Sequence, residues 1–402
     1  MVTPLDVPVF DADQHLYESE DAFTRHLPRA HKDLFRYVEI NRRKKLVVRD
    51  TVTEFIPNPT FEVVARPGAH AAFYAGDNPE GKTLRELTGE PMRCDPSFRN
   101  PRDRLAVLDR QGVAATLMFP TLASLIEERL IDDPELTQVA LHAFNEWLHD
   151  EWRYDYEGRI FATPIVSPGD LDSAIAELEL VLSRGARAIL VRPAPVAGLR
   201  GRRSPFLPEF DPFWARVEEA GVLVALHASD SGYQDYLNTW EGRRGEYVAF
   251  RPNTFAHVAD GGRTIHDTLA SAICHGMADR FPGVHLMSVE NGGQWVHLLA
   301  RNLELAWKKM PREFPTHPVE VLRRNVWINP FWEESVAAVI GLMGADRVCF
   351  GSDYPHPEGL AEPLSFVDQL GTIERGDLER VMSTNLSELV GVARPAGAGR
   401  AG

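Results

Sequence analysis

Short apolar runs rich in β-branched residues alternate along this chain with longer amphipathic stretches. The apolar runs contain few polar positions, which is typical of strands that are buried on both faces of a parallel sheet. Eight of them predict strands: Val7–Ala12, Ala114–Phe119, Ile160–Val166, Ala186–Val191, Val222–His227, Val284–Val289, Val326–Ile328 and Val348–Gly351.

The amphipathic stretches between these runs carry helix-start and helix-stop signals. The first ends at Gly112, and another opens at Asp170 with an acid-rich turn that suits the helix dipole. The predicted helices are Pro101–Gln111, Pro134–Trp152, Asp170–Ser183, Phe213–Ala220, Ile265–Phe281, Gln294–Lys309, Pro318–Arg324, Trp332–Met343 and Ser365–Leu370. This alternation predicts an α/β protein with a (β/α)8 TIM barrel. A doubly wound open sheet is the alternative, but a glycine-rich dinucleotide motif does not follow the first predicted strand.

A long interval between the first two predicted strands breaks the alternation. Within it, Arg36–Ile56 has the pattern of a polar-tipped β-hairpin. We therefore predict a single barrel domain over residues 1–393, with a hairpin-containing insertion after strand 1 at about residues 30–100. An insertion at the carboxyl end of a barrel strand can form a lid or a subunit contact. The segment 394–402 lacks hydrophobic periodicity, and we expect it to be a disordered tail.

Composition and charge limit the classes of partner that this 402-residue chain is expected to bind. Its net charge of −15 argues against a broad nucleic-acid surface, which needs clustered lysine and arginine. Its three cysteines are scattered, which fits a reducing compartment. The sequence shows neither a signal peptide nor an apolar run of the ~20 residues that span a bilayer. We expect a cytoplasmic protein that acts on a small molecule and binds neither nucleic acid nor membrane.

Ionisable and polar residues stand where the predicted strands end, and in a barrel these ends meet at one mouth. They are Asp13, His15, Arg192, His227, Glu290, Asn329, Asp353 and His356. Each alone is more often a hydrogen-bonded strand end or a helix cap. Together, Asp13, His15, His227 and Asp353 combine imidazole with carboxylate, the ligand set of Zn, Mn or Fe(II). Asp11 lies deeper on the same face, and we expect it to form internal hydrogen bonds.

This order of residues resembles the amidohydrolase superfamily, and most closely the branch that contains aminocarboxymuconate-semialdehyde decarboxylase. The resemblance covers the chain from Phe10 to about Leu389. It is carried by the D-x-H pair at the first strand, the histidine at the fifth and four longer stretches. These are NPRDRLAVLDRQGV (100–113), FNEWL (144–148), RRNVWINPFWEE (323–334) and FGSDYPHPEG (350–359).

The resemblance implies a distorted TIM barrel with one divalent metal at its mouth, zinc first, with manganese or iron as alternatives. It implies metal ligation by Asp13, His15, His227 and Asp353. Two positions depart from the family pattern. Asp13 stands where relatives often have histidine or glutamate, and Glu290 stands where the family usually has a histidine followed by Gly-Gly. The resemblance also allows a homodimer.

Three functions follow as alternatives. The branch favours a non-oxidative decarboxylase (a carboxy-lyase) acting on a small carboxylated aromatic or unsaturated acid, with Asp353, Glu290 and His227 as catalytic residues. The same site could instead serve a hydrolase or hydratase of a small amide, ester, lactone or enoic acid. The third alternative is a non-catalytic ligand-binding barrel. Predicted substrate-binding residues are Arg192, which can grip a carboxylate with two parallel bonds, together with His356 and Asn329.

Overall fold

The computed structural model describes residues 7–198, 201–249, 251 and 253–392. The predicted disordered tail, 394–402, lies outside the described residues. Strands and helices alternate over most of the described chain, and the predicted α/β class is confirmed. None of the helices formed by these residues is both long and apolar enough to cross a bilayer.

Twelve strands form within the described ranges. They are β1 (Val9–Leu16), β2 (Phe35–Ile40), β3 (Arg43–Val48), β4 (Thr51–Thr53), β5 (Val63–Val64), β6 (Met92–Arg93), β7 (Val113–Pro120), β8 (Ile160–Ala162), β9 (Ala188–Leu190), β10 (Leu223–His227), β11 (Leu286–Val289) and β12 (Val326–Ile328).

Sixteen α-helices form in the same part of the chain. They are α1 (Ala71–Tyr74), α2 (Leu84–Thr88), α3 (Pro101–Gln111), α4 (Ile126–Arg129), α5 (Pro134–Trp152), α6 (Leu171–Ser183), α7 (Asp211–Ala220), α8 (Tyr233–Glu241), α9 (Thr254–Asp260), α10 (Arg263–Cys274), α11 (Met277–Arg280), α12 (Trp295–Lys309), α13 (Pro318–Asn325), α14 (Val336–Met343), α15 (Arg375–Glu379) and α16 (Asn385–Leu389).

The helix boundaries follow local capping chemistry. Helix α3 begins at Pro101, where the Asn100 side chain accepts hydrogen bonds from two backbone N–H groups, and it ends at Gly112, which adopts a left-handed conformation. The predicted helix Ile265–Phe281 is wrong in its length. Gly276, at φ +74°, divides it into α10 and α11. The predicted helix Ser365–Leu370 is instead part of a 3-10 helix, Pro363–Gln369.

Seven strands run parallel in two sheets. One sheet has the order β1-β7-β8, and the other has the order β12-β11-β10-β9. A parallel bridge joins Ile165 to Leu190, between β8 and β9. All residues of these seven strands except Ala114 are buried, as expected for a parallel sheet that is covered on both faces.

The predicted eighth strand, Val348–Gly351, is not a regular strand in the structure. One isolated bridge joins its Val348 to Ile328, and a second joins Tyr354, three residues beyond its end, to Gln14. Its Phe350 carbonyl accepts a hydrogen bond from the Ala12 N–H at 2.8 Å. Hydrogen bonds to β1 continue past this segment, from the Asp353 N–H to the Asp13 carbonyl and from the His15 N–H to the Tyr354 carbonyl, both at 2.8 Å. Asp353 itself has a left-handed backbone, with φ +56°, which a regular strand cannot contain.

The first strand also differs from the prediction, since it continues to Leu16 instead of ending at Ala12. Asp13 and His15 therefore lie within the strand and not after it. The register against β7 shifts between Asp11 and Gln14, where β1 accommodates one extra residue. Polar residues are tolerated in this buried strand because other parts of the fold supply their partners.

Residues 35–53 form a small antiparallel sheet of β2, β3 and β4. The turn between β2 and β3 is made by Asn41 and Arg42, both with positive φ (51° and 61°). Two consecutive left-handed residues give the turn a twist that matches the flanking strands. The segment that follows this sheet contacts the loop after Val348–Gly351, because the His70 N–H donates to the Pro357 carbonyl at 2.7 Å.

Asp11, which was predicted to form internal hydrogen bonds, links β1 to the segment after Phe350. Its two oxygens accept four hydrogen bonds, from the Asp13 N–H, the Gln14 amide, and the backbone N–H and hydroxyl of Ser352. The prediction for Asp11 is confirmed.

We expect Asp11→Asn to lower the free energy of unfolding by about 2–4 kcal/mol, because an amide nitrogen cannot accept from these buried donors. Urea denaturation measures the loss. The control, Asp77→Asn, changes an exposed aspartate and should leave the unfolding midpoint unchanged. An Asp11 variant as stable as the wild type would show that these bonds contribute little.

Candidate active site

Arg104, a fully buried arginine on α3, forms hydrogen bonds with the carboxyl-terminal half of β1. Its guanidinium donates to the His15 carbonyl at 2.8 Å, to the Gln14 side-chain oxygen at 2.9 Å and to the Ser97 carbonyl at 2.9 Å. Alternate residues of a strand face opposite sides, so Gln14 points toward Arg104 while Asp13 and His15 point the other way.

Asp13, His15 and His227 form the centre of the site. The Nε2 atoms of His15 and His227 lie 3.2 Å apart. The Oδ1 atom of Asp13 lies 3.4 Å from the first of these nitrogens and 3.7 Å from the second. All three side chains are buried. Strands β1 and β10, which lie in different sheets, thus place three potential ligand atoms at one point.

Glu290, which follows β11 directly, and Asp353, which follows the segment Val348–Gly351, complete this centre. The Oε2 atom of Glu290 lies 3.2 Å from His227 Nε2 and 3.6 Å from His15 Nε2, and the Oδ1 atom of Asp353 lies 3.5 Å from His15 Nε2. Both residues have a left-handed backbone, with φ of 54° and 56°. Such strain in non-glycine residues is found at functional sites, where the surrounding structure holds it in place. The structure thus brings the four predicted metal ligands and Glu290 together.

His356 and Glu358 extend the cluster on the side of Asp353. The ring of His356 stacks on that of His15 at a centroid distance of 4.0 Å, and its Nδ1 atom lies 2.7 Å from Asp353 Oδ1. Glu358 offers a carboxylate oxygen within 4.8 Å of ligand atoms of Glu290, Asp353 and His356. Glu358 was not among the predicted site residues. Its position two residues after His356, in the same turn, is the signal that could have identified it.

Negative charge dominates the site, because four carboxyl groups meet here. Burial, reinforced by Glu290, Glu358 and Asp13, raises the pKa of Asp353 well above its usual value. Burial and Glu290 raise the pKa of Glu358 to about 8. Burial disfavours the charged form of His15, but Asp13 and Glu290 outweigh it and raise the pKa of this imidazole to about 9. The carboxylates thus favour a positive charge at the centre of the cluster.

The donor atoms fit a divalent cation. His227 Nδ1 lies 2.7 Å from the Ala228 carbonyl, which can only accept, so the proton sits on Nδ1 and the Nε2 lone pair faces the cluster. The Oδ1 atom of Asp13 is buried without a hydrogen-bond partner. Ligand atoms about 2.1 Å from one metal ion lie about 3.0–3.5 Å apart, close to the separations seen here. A cation would remove the repulsion between the facing lone pairs.

Arg192 and Asn329 have protein partners instead of places in this cluster. The Arg192 guanidinium donates to the Glu128 carboxylate at 2.7 Å and to the carbonyls of Pro195 and Asp230. The Asn329 amide lies 3.4 Å from the Cys349 carbonyl. Buried arginines keep such ion pairs because an unpaired buried charge is costly. The substrate contacts predicted for Arg192, Asn329 and His356 stay predictions.

Known proteins resemble this chain over most of its length. A family model described as amidohydrolase matches residues 11–391. The crystal structure of an amidohydrolase from Mycobacterium avium subsp. paratuberculosis is 40% identical, with a TM-score of 0.91, covering 97% of this chain and 99% of its own. The gamma-resorcylate decarboxylase of Rhodococcus jostii is 26% identical over 306 residues, which cover 71% of this chain and 86% of that protein.

A further similarity concerns the fold alone. The crystal structure of a dihydroxybenzoic acid decarboxylase from Polaromonas, with bound manganese and the inhibitor 2-nitroresorcinol, is 18% identical with a TM-score of 0.54. It covers 80% of this chain and 93% of its own. The matches confirm the predicted class, a metal-dependent enzyme of the lyase or hydrolase type. Because the family model spans nearly all of the described residues, the predicted recognition is also confirmed: this chain belongs to the amidohydrolase family.

Proposed function

We propose that this protein is a metal-dependent, non-oxidative decarboxylase of a small carboxylated aromatic or unsaturated acid. The observation that carries the proposal is the cluster of Asp13, His15 and His227, whose ligand atoms converge within 3.2–3.7 Å. The similarity to gamma-resorcylate decarboxylases supports the reaction class. The family membership weighs against a non-catalytic barrel.

The proposed cofactor is one divalent metal ion held by Asp13, His15, His227 and Asp353, with Glu290 beside them. The family resemblance puts zinc first, whereas the structure of the Polaromonas relative holds bound manganese. Two imidazoles with several carboxylates suit either ion, and also Fe(II), because hard oxygen ligands favour manganese and imidazole favours zinc. When bound, the ion would polarise a substrate oxygen and stabilise the electron pair left on carbon.

In the proposed reaction the bond between the substrate carbon and its carboxylate breaks, carbon dioxide leaves, and the electron pair on carbon takes up a proton. A carboxyl group that ligates a metal holds no proton, so Asp353 is the proposed proton donor in the alternative arrangement in which Asp13, His15 and His227 hold the ion. The pKa of Asp353 is raised by burial and by the neighbouring carboxylates, so that it keeps a proton under conditions where an exposed aspartate has lost it. Glu290, whose carboxylate oxygen lies within 4.8 Å of that of Asp353, is the alternative donor.

We further propose that the two parallel sheets and the segment Val348–Gly351 form one closed (β/α)8 barrel, in a single domain over residues 1–393. The bridges at Ile165–Leu190, Ile328–Val348 and Gln14–Tyr354 support closure. In this proposal the insertion at about residues 30–100 covers the barrel mouth. A hydrogen bond from the Ala249 N–H to the Phe55 carbonyl, at 2.8 Å, supports this placement. The cytoplasmic location and the homodimer stay predictions.

Hydrolysis of a neutral amide, ester or lactone is the second candidate. Among the described residues, no lysine or arginine is ion-paired with Asp13, Glu290, Asp353 or Glu358. Such an anionic site repels a carboxylate substrate until a metal compensates its charge. A glutamate at position 290 could then act as general base.

Product analysis separates the two candidates. Protein reconstituted with Mn²⁺ or Zn²⁺ should release carbon dioxide from a dihydroxybenzoate or a related hydroxylated benzoic or enoic acid. It should leave a matched panel of esters, lactones and amides intact. Hydrolysis of a member of the second panel without carbon dioxide release from the first would contradict the decarboxylase proposal. His227→Ala, prepared in parallel, controls for contaminating activity.

A further inference from the structure

The hydroxyl of Thr121 lies between two histidines of the candidate site. Thr121 follows β7 directly and is buried, with 8% of its surface exposed. Its Oγ1 atom lies 3.3 Å from His15 Nδ1 and 3.1 Å from His356 Nε2. It also lies 2.8 Å from the Leu16 carbonyl oxygen. One hydroxyl therefore contacts a metal-ligand candidate and the histidine that stacks on it.

The chemistry of these partners fixes the direction of each hydrogen bond. The Leu16 carbonyl has no proton, so the single hydroxyl proton of Thr121 is donated to it. Oγ1 is then left with acceptor lone pairs only, and both imidazole nitrogens that face it must carry protons. In the neutral rings this leaves His15 Nε2 unprotonated toward Asp13 and His227. It also leaves His356 Nδ1 unprotonated toward Asp353, so the proton in their 2.7 Å contact belongs to the Asp353 carboxyl group.

Glu18 holds Thr121 in this position. One oxygen of its buried carboxylate, Oε1, accepts the backbone N–H groups of Thr121, Leu122 and Ala123 at 3.1, 2.8 and 2.9 Å. Three donors on one acceptor fix the turn after β7, and with it the place of the hydroxyl. The sequence gives no hint of this link, because Glu18 and Thr121 are far apart along the chain.

We infer that Thr121 is the positioning residue of the site. Its hydroxyl selects the ring orientation and the protonated nitrogen of both His15 and His356. The inference rests on the proposed metal site, since its effect is to present His15 Nε2 as a ligand. It goes beyond that proposal because Thr121 is not among the proposed metal ligands and acts on the site through its hydrogen bonds to His15 and His356. Loss of an outer hydrogen-bond partner of a ligating histidine typically weakens metal affinity by about 10- to 100-fold.

Three variants test the role of the hydroxyl. Thr121→Val keeps the branched shape and removes the oxygen, whereas Thr121→Ser keeps the oxygen. Thr163→Val is the matched control, because Thr163 is a fully buried threonine after β8 whose hydroxyl donates to the Met118 carbonyl at 3.1 Å. Zn²⁺ affinity is measured by competition with a chromogenic chelator. We expect Thr121→Val to bind Zn²⁺ about 10- to 100-fold more weakly, and Thr121→Ser and Thr163→Val to bind as the wild type does.

Two results would overturn the inference: Zn²⁺ affinity in Thr121→Val equal to that of the wild type, or equal weakening in Thr121→Ser. If the wild type itself fails to bind Zn²⁺, the metal site falls, which distinguishes that failure from this one. Should Thr121→Val not fold, ¹⁵N NMR spectra of the histidine side chains in the Zn²⁺-loaded wild type decide, with the His356 signals assigned by their absence in His356→Asn. They should show His356 protonated on Nε2, and protonation on Nδ1 instead would refute the inference.

Discussion

His227→Ala is expected to abolish tight binding of a divalent cation while leaving the fold intact. The substitution removes one of the two proposed imidazole ligands. The Nε2 atom of His227 lies within 3.7 Å of the ligand atoms of His15, Asp13 and Glu290. Loss of an outer partner of a ligand already weakens affinity by 10- to 100-fold, so loss of the ligand itself should cost at least about 100-fold. Elemental analysis of protein purified without chelator measures the bound metal.

Thermal unfolding gives a second reading of the same prediction. A ligand at about a thousandfold excess over its Kd stabilises the folded state by about 4 kcal/mol. EDTA should therefore lower the Tm of the wild type clearly and the Tm of His227→Ala hardly at all. His297→Ala, an exposed histidine on α12, serves as the matched control and should keep its metal. Full metal content in His227→Ala would remove this residue from the centre.

Glu290→Gln is expected to lower kcat by about 10²- to 10⁴-fold, the range that a positioned acid or base contributes. Glutamine has the same shape but neither carries the negative charge nor transfers the proton. The Glu290 side chain is partly exposed, at 22%, and its oxygen lies within 3.6 Å of both central histidine nitrogens. Little stability should therefore be lost, and the effect should be seen in turnover, measured as product formed at saturating substrate and metal.

Glu320→Gln, on the exposed face of α13, is the control for this experiment and should turn over as the wild type does. If Glu290→Gln keeps wild-type kcat, the carboxylate has neither a catalytic nor an electrostatic role. If Glu290→Gln loses metal as well as activity, Glu290 is a metal ligand and takes the place proposed for Asp353.

The regular elements could be predicted well because their signals are local. The bounds of Pro101–Gln111 and Pro134–Trp152 agree with the prediction, since an N-cap side chain and a proline mark the start of both helices and Gly112 marks the end of the first. The first strand was placed too early, because its second half is polar. Asp11 and Gln14 are buried there only because Ser352 and Arg104 supply partners from distant parts of the chain. Apolar periodicity cannot report such partners.

The site shows the same division between local and distant information. His227 and Asp353 stand directly after apolar runs, and their positions at strand ends made them candidates. Thr121 and Arg104 were missed because neither differs in sequence from an ordinary loop threonine or helix arginine. Their importance comes from what they touch: Thr121 contacts two site histidines, and Arg104 holds the strand that carries Asp13 and His15.

Anomalous diffraction from crystals of the metal-loaded protein, collected on both sides of the metal's absorption edge, tests the central claim most directly. We expect one peak per chain, within coordination distance of Asp13 Oδ1, His15 Nε2 and His227 Nε2. It should disappear in crystals of His227→Ala grown under the same conditions. A peak elsewhere in the molecule, or an empty site in protein soaked with both Mn²⁺ and Zn²⁺, would contradict the account.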